Sequence, residues 1–217
     1  MKLLLLWLLP LLSYFPAAGP PAVRVTFSPL TKAAYLAAQK TAVSTKPVMT
    51  FPVKKVRGRM VIPTSKGAKV FQDVTEDMSF DNQEYFYYLG YDSQSRYHVI
   101  RYLSDGGYRG QHLVHLVGEN GQHVVLPPIL EYSPDMRQLV AATDGKDVGH
   151  YSQSIQLYRL KNNRWQQVWK IEFAEEVATW STKEIQWLSN STLLLKKCVW
   201  NAKGPSTFAY AKLTIQP

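Results

Sequence analysis

Apolar and polar residues alternate in short runs between Tyr85 and Ile215, and the runs fall into three similar units. Unit one spans Tyr85 to Leu126, unit two Ile129 to Ile171, and unit three Ile185 to Ile215. In each, a short apolar strand ends in an aromatic or polar turn and a second strand follows. A loop and a further strand complete the unit. The turns are Leu89-Gly90-Tyr91-Asp92, Glu131-Tyr132-Ser133-Pro134-Asp135 and Gln186-Trp187-Leu188-Ser189-Asn190. Period-two alternation bounded by turn residues predicts strands, and repetition of such a unit is how β-propeller blades appear in a sequence.

Upstream of the units, Ser28-Pro29 predicts a helix start, with Ser28 as N-cap and Pro29 in the first turn of a helix running to Lys40. Its alanines favour helix but bury little, so the helix is expected at the periphery. Thr41 to Pro47 reads as a linker. Val48–Val56 and Met60–Pro63 predict a hairpin around Arg57-Gly58, and Ala68–Asp73 a further strand. The expected fold is all-β, with antiparallel propeller-like blades and a short N-terminal helix. Three units are clear and the Val48–Asp73 strands are a candidate fourth, irregular one. Three units alone do not close a ring of four to eight blades, so closure is left open.

The segment Tyr132-Ser133-Pro134-Asp135-Met136-Arg137-Gln138-Leu139-Val140, followed by Ile155-Gln156-Leu157-Tyr158, resembles the blade repeat of periplasmic Tol-system-type propellers. In that repeat an aromatic-Ser-Pro-Asp-Gly turn precedes a strand; here Met136 stands in place of the Gly. From about Val53 to Ile215 the chain is similar to a group of uncharacterised secreted bacterial proteins. That similarity lies in Val61-Ile62-Pro63-Thr64-Ser65-Lys66-Gly67, Tyr88-Leu89-Gly90-Tyr91, Ser133-Pro134-Asp135 and Ile185-Gln186-Trp187. The resemblance implies a fold and no chemistry, because propellers host both enzymes and binding modules.

The N-terminus reads as a secretory leader over residues 1–19. Lys2 is the positive region, Leu3–Phe15 the apolar region, and Ala17-Ala18-Gly19 the small residues near a cleavage site. This predicts a secreted or periplasmic protein with a basic extension over residues 20–47 and a β domain over residues 48–217. Pro20 after Gly19 disfavours cleavage at that bond, so the cleavage site, and cleavage itself, stay open.

Charge sharpens the division. The formal net charge is +9. Between Pro20 and Lys69 there are ten basic residues and no acidic one, whereas Val70 to Pro217 carries fourteen basic and sixteen acidic residues. A basic segment on a nearly neutral domain suits an anionic membrane surface or a polyanionic glycan. The leader argues against nucleic acid. The competing expectation is a solvated face that pairs with Asp73, Glu76, Asp77, Asp81 and Glu84. Cys198 is the one cysteine, so no intramolecular disulfide forms, and its apolar surroundings predict a packed rather than reactive thiol.

Catalytic signatures are missing: no nucleophile-elbow serine, H-E-x-x-H or C-x-x-C occurs. Gly106-Gly107-Tyr108-Arg109-Gly110 lies between strands rather than ahead of a helix and reads as a hairpin loop. His112 and His115, three apart in a strand, point to opposite faces. His98, His123 and His150 stand alone in the sequence. If the units are equivalent, the loops Asp105–Gly110, Asp144–Tyr151 and Asn201–Pro205 emerge together. They then present Tyr108, Arg109, His150, Tyr151 and Lys203 as a candidate binding surface. No metal ligand set and no cofactor is expected. The sequence favours a non-enzymatic binding or structural module of the cell envelope, with an envelope protein or glycan as partner. The alternative is an envelope hydrolase acting on glycans with carboxylates drawn from different blades.

Overall fold

The computed structural model describes residues 23–75, 83–105, 111–143, 153–173, 180–200 and 205–216. These residues are mostly strand, with one short helix and antiparallel sheets throughout. The leader lies outside them. No described helix is long and apolar enough to cross a membrane.

The first unit folds as β5 (Gln83–Asp92), β6 (Tyr97–Asp105), β7 (Gln111–Gly118) and β8 (His123–Leu126). Together with the short β2 (Met49–Thr50), these make sheet I in the order β2-β5-β6-β7-β8. The second unit makes sheet II from β9 (Ile129–Tyr132), β10 (Gln138–Ala142), β11 (Gln153–Lys161) and β12 (Arg164–Phe173). The third supplies β13 (Trp180–Ser189), β14 (Thr192–Val199) and β15 (Thr207–Gln216). Its fourth strand comes from the other end of the chain. β1 (Arg24–Leu30) pairs with β15 along its whole length, from Arg24 opposite Gln216 to Leu30 opposite Tyr210, and completes sheet III.

This strand displaces the expected helix start. Val25 and Phe27 alternate with polar residues and pack toward sheet II. Pro29 is tolerated because β1 is an edge strand, where one side of the backbone needs no partner. The helix α1 (Lys32–Gln39) begins one turn later. Thr31 is its N-cap, its Oγ1 accepting from the Ala34 amide at 3.1 Å.

The sheets stack in layers. β10 is buried at every position because it is covered on both sides. Leu139 and Ala141 face sheet I with Val99, Val114 and Leu116. Val140 and Ala142 face sheet III with Trp187, Leu193 and Leu213. A strand sandwiched in this way loses its polar face and reads as a continuous apolar run. The far side of sheet I is covered by the hairpin of β3 (Arg59–Ile62) and β4 (Lys69–Gln72). Met60, Ile62 and Phe71 from this hairpin pack on Ile100 and Val117. The far side of sheet III is covered by α1. Tyr35, 1% exposed, lies 4.7 Å from the Tyr210 ring, and its hydroxyl donates to Glu184. The layer order is thus helix, sheet III, sheet II, sheet I, hairpin. The two end layers cover faces that a linear stack would leave wet.

The Val48–Asp73 region therefore supplies a two-stranded hairpin and one edge strand rather than a further four-stranded unit. Arg57-Gly58 does form a tight turn, both residues having positive φ, but it closes only the isolated Val56–Arg59 bridge. β3 takes β4 as its main partner. No closed ring or barrel is found among the described residues.

Residues 43–50 pass along the first strands of the sheets in succession. Val43 bridges to Trp187 on β13, Thr45 to Tyr132 on β9, and Met49 and Thr50 pair with Asp92 and Tyr91 on β5. Most of the expected linker is thus a strap that takes up backbone groups at three sheet edges. Near the middle of β5 a side-chain pair does the same work. Asp73 accepts from the Phe86 amide at 2.9 Å, Lys55 donates to the Phe86 carbonyl at 2.7 Å, and the two side chains form an ion pair of 2.5 Å.

Candidate functional site

A groove runs between the hairpin layer and the turn end of sheet I. Its central cavity, about 530 Å³, is lined by Tyr91, His98, Glu119 and Ser65 with Pro52 and Pro63. Shared residues join it to a cavity of about 250 Å³ beside Arg96, Asn120 and Asn163, and to one of about 480 Å³ beside Lys54, Arg59 and Val61.

A β-bulge sets the wall of the groove. Tyr88 pairs with Ile100 and Gly90 with Val99, so Leu89 and Gly90 together oppose one residue of β6. Residues three apart on a strand normally face opposite sides; the extra residue shifts the phase, and Tyr88 and Tyr91 both face the side that carries His98. Gly90 is required there: its φ is +128°, and a Cβ would lie 2.8 Å from the Cβ of Met49.

Tyr91 is the cross-strand partner of His98, their ring centroids 4.8 Å apart, and the Tyr88 hydroxyl lies 2.8 Å from His98 Nδ1. Burial first, and Tyr91 second, push the Tyr88 phenol up to about 12, so it stays protonated. Burial holds His98 below its ordinary value, against an opposing effect of Glu119, so the imidazole is neutral near pH 7. A protonated phenol and a neutral imidazole share this hydrogen bond, its direction set by the imidazole tautomer. Tyr91 donates to Glu119 Oε1, and Arg96 binds the other carboxylate oxygen through Nε at 2.8 Å and through a terminal nitrogen. The hydrogen bond from Tyr91 and the Arg96 charge keep the Glu119 carboxyl below the usual carboxylate range. Arg96 reaches it from a turn position with φ of 64°. The Ser65 amide donates to the Glu119 carbonyl at 2.7 Å, tying the hairpin layer to this end of sheet I.

The wall therefore presents fixed hydrogen-bonding groups and one neutralised carboxylate, over a floor of prolines and valines. It offers no second carboxylate among the described residues lining it.

A second cluster lies beneath the hairpin. His115 Nδ1 is 2.9 Å from His123 Nε2, and both rings meet Phe71 edge-on. Burial, and then His123, bring His115 down to about 4; burial and then Lys69 lower His123. His115 Nε2 is buried without a hydrogen-bond partner. The β7–β8 register makes the two histidines diagonal neighbours, since His115 faces Val125 and Val117 faces His123. No group of three His, Cys, Asp or Glu side chains placed to hold a metal occurs among the described residues.

All five sequence-derived candidates, Tyr108, Arg109, His150, Tyr151 and Lys203, lie outside the described residues. The segments that contain them each join the second and third strands of a unit: β6 to β7, β10 to β11 and β14 to β15. The groove is built at the opposite end of sheet I, from the β5–β6 and β7–β8 turns. Cys198 is half-buried on β14, a strand position as expected.

No protein-family model, no curated protein and no solved structure matches the chain.

Proposed function

We propose that this protein is a non-enzymatic binding module of the cell envelope, secreted or periplasmic, built on propeller-like blades. Three successive antiparallel sheets of four or five strands, the third completed by β1, support the blade reading. The groove at Tyr91, His98 and Glu119 is its principal ligand site, and an envelope protein or glycan is the ligand class. The observation that carries this reading is the state of the groove's polar groups. Glu119 is held ionised by Tyr91 and Arg96, which makes it a poor proton donor. Glycosidases commonly need two carboxylates, one of them held as an acid. A wall of fixed polar groups beside an apolar floor instead fits a bound partner.

The test is retention of envelope proteins and of purified envelope glycans on immobilised leader-free protein. Three forms are compared: wild type, the pair Tyr91→Ala and His98→Ala, and a loop variant with Tyr108, Arg109 and Tyr151 changed to alanine. Loss of a saturable partner in the groove pair alone is the expected result. Loss only in the loop variant moves the site to the loops. Turnover of a glycan by wild type replaces the binding reading with the hydrolase.

A further inference from the structure

The outward side of the β3–β4 hairpin departs from the usual polar surface. Val61 and Val70 are cross-strand partners on this side and are 41% and 49% exposed. Val56 (64%) extends the apolar area through the segment that leads into β3. Lys54 and Arg59 line the same concavity as Val56 and Val61, and Arg57 sits at the adjoining turn. All three cations are exposed, and no described acidic side chain pairs with them. Asp73, the nearest acid in sequence, is already taken by Lys55 and the Phe86 amide.

We propose that this face docks on an anionic lipid bilayer, with Val56, Val61 and Val70 entering the headgroup boundary and Lys54, Arg57 and Arg59 meeting lipid phosphates. Charge complementarity selects this occupant. An exposed apolar patch flanked by cations gains from both burial and the negative surface potential of such a membrane. A second copy of the chain docking symmetrically would set the same cations against each other. The docking face adjoins the groove, since Lys54, Arg59 and Val61 line its outer cavity, but it uses none of the Tyr91–Glu119–Arg96 network on the sheet wall.

The experiment is co-sedimentation of leader-free protein with phosphatidylcholine vesicles, with and without phosphatidylglycerol, at low and high salt. Binding is expected only to the anionic vesicles and should weaken with salt. Replacing Lys54, Arg57 and Arg59 by Gln is expected to weaken partition about 100-fold, taking about 1 kcal/mol per cation. Changing Val56, Val61 and Val70 to Ser should weaken it about tenfold. All these residues are exposed, so folding is preserved, as circular dichroism would check. Tyr91→Phe should leave partition unchanged while affecting only the groove. Absence of binding, equal binding to both vesicle types, or binding indifferent to the triple Gln variant overturns the proposal. So does self-association that the Ser variants abolish in protein that ignores vesicles. Competition by soluble glycerol phosphate as effective as that by vesicles would assign the site to a free anion and overturn bilayer docking.

Discussion

Met136 carries a conflict that only its surroundings resolve. It occupies a φ of 60°, a region where glycine is at ease and a longer side chain is strained. The turn nevertheless forms, because Asp135 Oδ1 accepts from Ser133 Oγ at 2.6 Å and from the Arg137 amide at 3.0 Å. The Met136 side chain is 7% exposed and packs in the cluster between sheets I and II. The departure from glycine was legible in the sequence; its benefit, a buried thioether, was not. The histidines show the same division. His115 and His123 were both visible, yet their pairing depends on register. As bases whose folded-state values are depressed, they take up protons less readily in the folded chain than in the unfolded one, where histidine titrates near 6.5. The unfolded chain is therefore protonated first as pH falls. Stability is full above about pH 6.5 and declines toward about pH 4, where His115 itself titrates. His115→Phe keeps an aromatic ring among Phe71, Phe86 and Tyr102. Unfolding free energies from urea titrations between pH 7 and 5 should fall less steeply in this variant, by up to about 1.4 kcal/mol per pH unit. Equal slopes would remove His115 from the acid response.

At the scale of elements, β5 is the strand on which most depends. Its bulge aims Tyr88 and Tyr91 at His98, and its edge is covered in turn by β2 and by the Lys55–Asp73 pair. Gly90→Ala adds a Cβ against Met49 and forces an unfavourable φ, which should cost about 2 kcal/mol in chemical denaturation. In a Met49→Gly background the same substitution should cost less, because the Met49 Cβ that the new methyl meets is gone while the backbone strain stays. No cost in that background would show that φ at this position is relaxed, and an undiminished cost that the clash is harmless. The strands of the three units were readable because alternation and turn residues agree locally. β1 was missed for a physical reason: Ser28-Pro29 suits both a helix start and an edge strand, and the choice is made by β15, nearly two hundred residues away.

Across the whole molecule, the chain is closed end to end rather than ring-wise. β1 completes sheet III beside β15, the strap crosses three sheet edges, and helix and hairpin cover the outer layers. Polar turns lock neighbouring sheets at one rim. Asn120 and Gln122 donate to the carbonyls of Asn163 and Trp165, while Asn190 accepts from the Asp135 amide. Removing residues 23–30 should bare both the β15 edge and the patch that Val25 and Phe27 cover. The expected result is a protein that sediments as aggregates instead of a single species. A monodisperse truncated protein would make β1 a dispensable extension.

Alternation, turn chemistry and charge order are properties of neighbours along the chain. The sequence by itself therefore determined the strand content, the existence of a short helix and the basic character of the first part of the described chain. Residues far apart had to meet before the rest existed. The fourth strand of sheet III, the strap, the His115–His123 pair and the groove of Tyr91, His98 and Glu119 all depend on register, on one bulged residue, and on which faces the layers leave uncovered. Those are set by burial and backbone pairing between distant segments, and only the tertiary structure decided them.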